Sequence, residues 1–356
     1  MKINRVDIRT EHIELTRPYS ISFKTFDSVD NIFVRIEAEN GMWGIGSACP
    51  FEEVTGESFK DCSTALEENL ECLLAGKDIR HLRALCRDVK KNLPDTPGAC
   101  AATDIALHDI FAKYLGIPLA DVYGCVHKSF STSITIGIKS SEESVEEARE
   151  YIGRGFRVLK VKIGRTPEED VERLVKIREA AGKDIMIRVD ANQGYNSDSF
   201  MEFINRTSSL NIEFIEQPLK QDDISGMRLL PAVIRKKIAA DESLKSNKHA
   251  VLFSSDPQPF GIFNIKLMKC GGVLAATEIA RIAEIAGIDV MWGCNDESVV
   301  SISAALHAAL ASPATKYIDL DGSFDLARDP YKGGFVLKDG YMSITDKPGL
   351  GVEESY

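Results

Sequence analysis

Residues 156–219, FRVLKVKIGRTPEEDVERLVKIREAAGKDIMIRVDANQGYNSDSFMEFINRTSSLNIEFIEQPL, alternate between two kinds of pattern. FRVLKVKIG, IMIRVDANQG and IEFIEQPL are short, apolar and β-branched, whereas PEEDVERLVKIREAAGKD and SFMEFINRTSSLN carry amphipathic helical spacing. Strands separated regularly by helices imply parallel strands with crossover helices. The same pattern yields SITIGIK upstream and KIAAD, IFNIKLM, DVMWGC and KYIDLD downstream. With RVLKVKI, IMIRVD and IEFIEQ these make eight strand candidates. Eight is the number that closes a TIM-like (β/α) barrel, a fold whose active sites lie at the C-terminal strand ends.

Before this region, residues 1 to about 125 read as a mixed α+β domain. MKINRVDIRTEHIEL and NIFVRIEAENGMWGIGSA are strand-like, and Glu39-Asn40-Gly41 is a hairpin signal. Leu66, Leu70, Leu73 and Leu74 fall at helical spacing before Gly76, and Ile105, Leu107, Ile110, Phe111 and Leu115 before Gly116. After the last strand, residues 322–356 hold a hairpin-like FVLKDGYMSI and no further repeat, so this segment is expected to rejoin the N-terminal domain. The expected division is 1–125 completed by 322–356, around a barrel of 126–321.

A formal charge of -11 argues against nucleic acid as a partner, since Arg235, Lys236 and Lys237 form the one strongly basic cluster. No apolar run approaches the ~20 residues of a membrane span, and MKINRVDIRT lacks a signal-peptide apolar region. The eight cysteines are scattered without a CxxC pair. Reduced thiols in a soluble, cytoplasmic protein are expected.

Ionisable residues recur at the strand ends: Lys162, Asp190, Glu216, Asp241, Lys266, Glu297 and Asp319, at intervals of 28, 26, 25, 25, 31 and 22. Each interval is about one strand-helix unit. Residues two apart on a strand share a face, so Leu159, Val161 and Ile163 turn to the helices while Lys160 and Lys162 turn inward. The same parity turns Arg188 and Asp190, Phe214 and Glu216, Ala239 and Asp241, and Asn264 and Lys266 inward. Charges inside a barrel are costly unless paired or metal-bound. Asp190, Glu216 and Asp241 supply hard oxygen donors suited to Mg2+ or Mn2+. Lys162 and Lys266 flank them, and burial with nearby positive charge makes a lysine usable as a base. Lys269 has the opposite parity and is expected to point away from the interior.

In order and spacing, LKVKIG, RVDANQG, FIEQP, ADES and NIKLMKCGG resemble the motif series of the muconate-lactonizing subgroup of the enolase superfamily. The likeness extends from LTRPYSISFKT and VTGES to KPGLGV. It implies a modified (β/α)7β barrel with a capping domain built from both chain ends. It also implies Mg2+ at Asp190, Glu216 and Asp241, acid/base lysines Lys162 and Lys266, and Lys160 as an auxiliary cation. IDLDG is similar to the Asp-x-Asp motif of the dipeptide epimerases, which places Asp319 and Asp321 at the substrate ammonium. Glu297, in GCNDES, matches a residue that orients the catalytic lysine, and Thr135 a substrate contact.

That resemblance implies a 1,1-proton transfer at the α-carbon of a dipeptide's C-terminal residue, with the two lysines working on opposite faces. The loops PYSISFKTFDS and CPFEEVTGES, with Asp296, are expected to set substrate preference. Lys24 matches a basic residue that meets the distal carboxylate of alanyl-glutamate, while Asp296, Glu52 and Glu53 suit cationic dipeptides; Phe51 leaves an apolar side chain open. Cationic or broad dipeptides are the favoured reading and alanyl-glutamate the next. N-acylamino acid racemase, o-succinylbenzoate synthase and muconate cycloisomerase share the lysines and carboxylates but give the Asp319, Asp321 pair no cation to hold. A Schiff-base or non-catalytic barrel is the reading from a different class. A homo-oligomer is expected from the family.

Overall fold

A computed structural model of the chain describes residues 1–20 and 25–355, so Lys24 lies outside the described residues. Strands Ile3–Ser20, Thr25–Ala38 and Trp43–Ala48 form an antiparallel N-terminal sheet. Its second turn falls at Glu39-Asn40-Gly41, where Gly41 takes φ +81°. Helix Phe59–Leu74 starts in a capping box, with Ser58 accepting from the Asp61 amide, and buries Cys62, Leu66, Leu70 and Leu74 on one stripe. Helix Pro97–Leu115 is buried over most of its length and ends at Gly116, φ +73°. Strand Trp43–Ala48 lies directly on this helix, and a Cβ at Gly46 would stand 1.9 Å from the Ala102 carbonyl oxygen. Glycine is therefore what the close approach requires.

The barrel strands are Ile134–Ile136, Val158–Lys162, Met186–Asp190, Ile212–Glu216, Ile238–Ala240, Ile262–Ile265, Asp289–Gly293 and Thr315–Asp319. They pair in sequence order, all parallel, and a parallel bridge between Thr132 and Ile318 joins the first unit to the last. Each of the first seven is followed by helix and the eighth is not, which makes the fold a (β/α)7β barrel. Helix starts are written locally: Ser140 with Glu143 and Asn196 with Ser199 form capping boxes, and Thr166 caps a helix with Pro167 in its first turn.

Phe214, Ala239, Ile262 and Met291 form a separate apolar plug inside the barrel, with Tyr317 against it. The guanidinium of Arg188 lies over the Phe214 and Tyr317 rings at 5.1 and 5.0 Å and donates to the Ile318 carbonyl at 2.8 Å. The plug and this layer seal the barrel beneath the carboxylates.

Residues after the last strand touch both parts of the molecule. The hairpin Phe335–Lys338/Tyr341–Ile344 pairs with Phe130–Ser131, just ahead of the first barrel strand. Toward the N-terminal sheet, Leu326 bridges Leu15 and Glu354 pairs with Arg35 at 2.8 Å. Asp109 accepts from the amides of Ile45 and Leu350, tying helix, sheet and tail together. Among the described residues no helix is long and apolar enough to cross a membrane.

Candidate active site

Parallel register brings the inward residues level. Lys160 stands opposite Arg188, Lys162 opposite Asp190, and Asp190 opposite Glu216. The carboxylates of Asp190, Glu216 and Asp241 are buried, with one oxygen of each within 4.8 Å of the others. Lys160 Nζ lies 2.7 Å from Asp319, 2.9 Å from Glu216 and 3.2 Å from Asp190. The Glu216 contact is an ion pair without hydrogen-bond alignment, for Oε2 has no hydrogen-bond partner among the described residues. Its other oxygen accepts from Asn264 at 2.7 Å. Lys162 donates to Asp190 at 2.7 Å and Lys266 to Asp241 at 2.9 Å, from the two sides of the trio.

Three adjacent carboxylates cannot all be ionised cheaply. Burial would raise Asp190, but Lys162 and Lys160 hold it below the usual carboxylate range; Lys266 and Lys269 do the same, more strongly, for Asp241. Glu216 is left over: burial and then the Asp190 charge push it up to about 8. Burial works to lower Lys266, yet Asp241 and Glu216 outweigh it and hold the ammonium above its ordinary value. For Lys160 the same contest ends the same way, against Asp319, Glu216 and Asp190.

Lys269 does not point away. The sixth strand stops at Ile265 and the chain turns into a short helix, Leu267–Cys270, so the two-residue parity no longer applies. The Lys269 ammonium reaches the carboxylate and the carbonyl oxygen of Asp241, and the carbonyl oxygen of Asn264. It is the most enclosed of the four lysines, and burial lowers its pKa.

Above the trio is a cavity of about 360 Å3, lined from the barrel by Thr135, Lys160, Lys162, Lys266, Asp319 and Asp321. Asp319 is buried and committed to Lys160 and to the Ser133 hydroxyl at 2.6 Å. Asp321 accepts from the Thr135 amide at 2.8 Å; burial and then Asp319 push it up to about 7. The pair is thus unequal. Asp319 already holds a cation, and Asp321 is the carboxylate that a further cation would relieve. Glu297 is buried beside this cavity and accepts from the Asn295 amide, and burial raises it to about 7. It feels the Lys266 charge without forming an ion pair with it.

Phe51 and Asp296 line the mouth, where the Phe51 ring meets Phe26 edge-on at 5.1 Å. Glu52 and Glu53 do not line it; they are exposed on the helix Glu52–Thr55. Asp27 and Asp30, on strand Thr25–Ala38, are mouth carboxylates that the motif spacing did not single out. Ser133 was findable, being two residues from Thr135 on the same strand face.

Known proteins resemble this chain over nearly its whole length. The profile described as "Mandelate racemase / muconate lactonizing enzyme, N-terminal domain" matches residues 3–124, and "Enolase C-terminal domain-like" matches residues 143–355. Barrel, trio and facing lysines define an enolase-superfamily enzyme, and the chain belongs to the mandelate racemase/muconate lactonizing enzyme family of that superfamily. More particularly, it is 52% identical to the L-Lys-D/L-Arg epimerase of Desulforapulum autotrophicum, over 99% of each chain. It is 51% identical to the L-Lys-D/L-Arg epimerase of Methylococcus capsulatus, again over 99% of each. The crystal structure of the dipeptide epimerase from Methylococcus capsulatus complexed with Mg and the dipeptide L-Arg-D-Lys superposes with a TM-score of 0.97, covering 99% of both chains.

Proposed function

We propose that the chain is a dipeptide epimerase that inverts the α-carbon of the C-terminal residue of cationic dipeptides of the Lys/Arg type. The observation that carries the reading is the placement of Lys162 and Lys266 on opposite sides of a buried carboxylate trio, in a cavity that also holds Asp319 and Asp321. The relatives named above act on, or are bound to, dipeptides of lysine and arginine.

The trio fits a divalent metal. Its donors are all hard carboxylate oxygens, and Oε2 of Glu216 is buried with no hydrogen-bond partner among the described residues. Asp190, Glu216 and Asp241 would hold Mg2+, with Mn2+ the alternative. When bound, the ion supplies Lewis-acid stabilisation of the negative charge that builds on the substrate carboxylate. Neutralising Asp241 and Glu216 would also remove what holds the Lys266 ammonium above its ordinary value, leaving burial to lower it.

Lys162 takes the α-proton from one face and Lys266 returns one from the other, with roles reversed for the opposite epimer. Lys160 stays charged among Asp190, Glu216 and Asp319 and supplies positive potential beside the reacting carboxylate. Asp321, with Asp319 behind it, receives the substrate's N-terminal ammonium, and Thr135 sets the Asp321 carboxylate. Glu297 tunes Lys266 through its field. Phe51, Asp296 and Lys24 are assigned to side-chain selection, and the mouth acids Asp27, Asp30 and Asp296 favour cationic side chains over alanyl-glutamate. The same reading takes residues 1–125 with 322–356 as the cap and 126–321 as the barrel, in a cytoplasmic homo-oligomer.

A dipeptide library incubated with enzyme and Mg2+ in heavy water tests the reading, since each epimerised substrate gains mass at one carbon. Enrichment of Lys- and Arg-containing peptides is expected. Enrichment confined to alanyl-glutamate, or to N-acylated amino acids, would overturn it.

A further inference from the structure

The two lysines are not held alike. Lys266 donates to Asp241, one of the trio. Lys162 donates to Asp190 and also, at 3.1 Å, to Oδ1 of Asn192, a neutral group. Asn192 sits at the end of the third barrel strand in the left-handed region, φ +40°, a conformation that asparagine tolerates better than most residues. This bend lets its amide N–H bind Asp190 at 2.9 Å while its side chain turns to the lysine. The sense of the side-chain amide is set from behind: Nδ2 faces Oε1 of Glu242 at 3.3 Å, and Glu242 is 2% exposed. Reversing the amide would turn its NH2 against the Lys162 ammonium, so the observed sense is the one that lets Asn192 accept from Lys162.

We propose that Asn192, held in orientation by Glu242, is the positioning residue for Lys162, so that proton transfer on one face of the substrate depends on it and transfer on the other does not. The inference rests on the epimerase reading above. Asp190 belongs to the trio that would hold the metal and is then no longer a dedicated partner of Lys162. Asn192 remains. An amide oxygen accepts an N–H from an ammonium and from an amine alike, so the contact persists through a proton transfer. With one N–H fixed on Asn192, the remaining tetrahedral directions of Nζ turn to the cavity, where Lys162 and Asn192 are both lining residues.

The test is solvent deuterium uptake measured separately on each purified epimer of a Lys/Arg dipeptide. Lys266→Ala first identifies the epimer served by Lys162, as the one that still exchanges. In Asn192→Ala, uptake by that epimer is expected to fall about tenfold or more, in line with the cost of a misplaced reacting group. Uptake by the other epimer should keep its wild-type rate. Glu242→Gln should reproduce the one-sided loss, because glutamine can donate to Asn192 and let its amide turn over. A crystal structure of Glu242→Gln without metal should show Lys162 Nζ shifted off Asn192, a readout independent of turnover. Equal loss from both epimers, or no loss, with Lys162 in place would overturn the proposal. Failure of the wild-type enzyme to exchange both epimers would instead overturn the epimerase reading itself.

Discussion

Asp321→Asn separates a substrate clamp from a simple turn after the last strand. The carboxylate is buried, takes one N–H from Thr135 and sits beside Asp319, which is already paired with Lys160. A hydrogen bond to a charged group contributes about 1.5–3 kcal/mol, and about 1.4 kcal/mol is tenfold, so loss of the ammonium contact should raise KM by about 10- to 150-fold. The proton-transfer groups are untouched, so kcat should change much less. The pH dependence adds a second readout. Burial and Asp319 push Asp321 up to about 7, so the free enzyme carries a neutral acid there below that pH and a carboxylate above it. Only the carboxylate attracts an ammonium, so kcat/KM should fall by about tenfold per unit as pH drops below 7. Glu242 and Glu297 are also raised to about 7, so the wild-type limb alone assigns nothing. Its weakening in Asp321→Asn does. Chiral chromatography of a Lys/Arg dipeptide over pH 5–9 supplies both numbers, and a variant with wild-type KM and an unaltered acidic limb would refute the clamp.

Lys266→Ala should abolish epimerisation while leaving deuterium uptake into one epimer, read by mass spectrometry; uptake into both or into neither would contradict the facing-lysine assignment. Asp190→Ala should weaken Mg2+ binding in calorimetry and remove metal-dependent turnover, and activity of the unaltered enzyme in excess chelator would refute the metal site. In Gly46→Val a Cβ would stand 1.9 Å from the Ala102 carbonyl oxygen, a backbone atom that cannot rotate aside. Overpacking of this kind costs about 3 kcal/mol and should appear as a lowered Tm in calorimetry.

Much of this was readable in the order of residues because it depends on local pattern. A period of two assigned Lys160, Lys162, Asp190, Glu216 and Phe214 to the interior, and the structure places them there, since a strand keeps its parity whatever it pairs with. The eight strands and the helix starts at Ser140, Thr166 and Asn196 are local in the same sense. Parity failed for Lys269, the third residue of the short helix Leu267–Cys270, because where the sixth strand ends is decided by its pairing with its neighbours.

Partnership belongs to the closed barrel. That Asp319 is spent on Lys160, 159 positions away, while Asp321 accepts from the Thr135 amide, follows from closure of the last strand on the first. Asp27 and Asp30 reach the mouth, and Glu52 and Glu53 do not, because the cap is seated on the barrel in one orientation. Residue order carries each side chain's chemistry and the face it takes. Distances of a few ångströms between strands some 25 residues apart exist only after register and closure are set, and those distances decide which carboxylate a lysine neutralises.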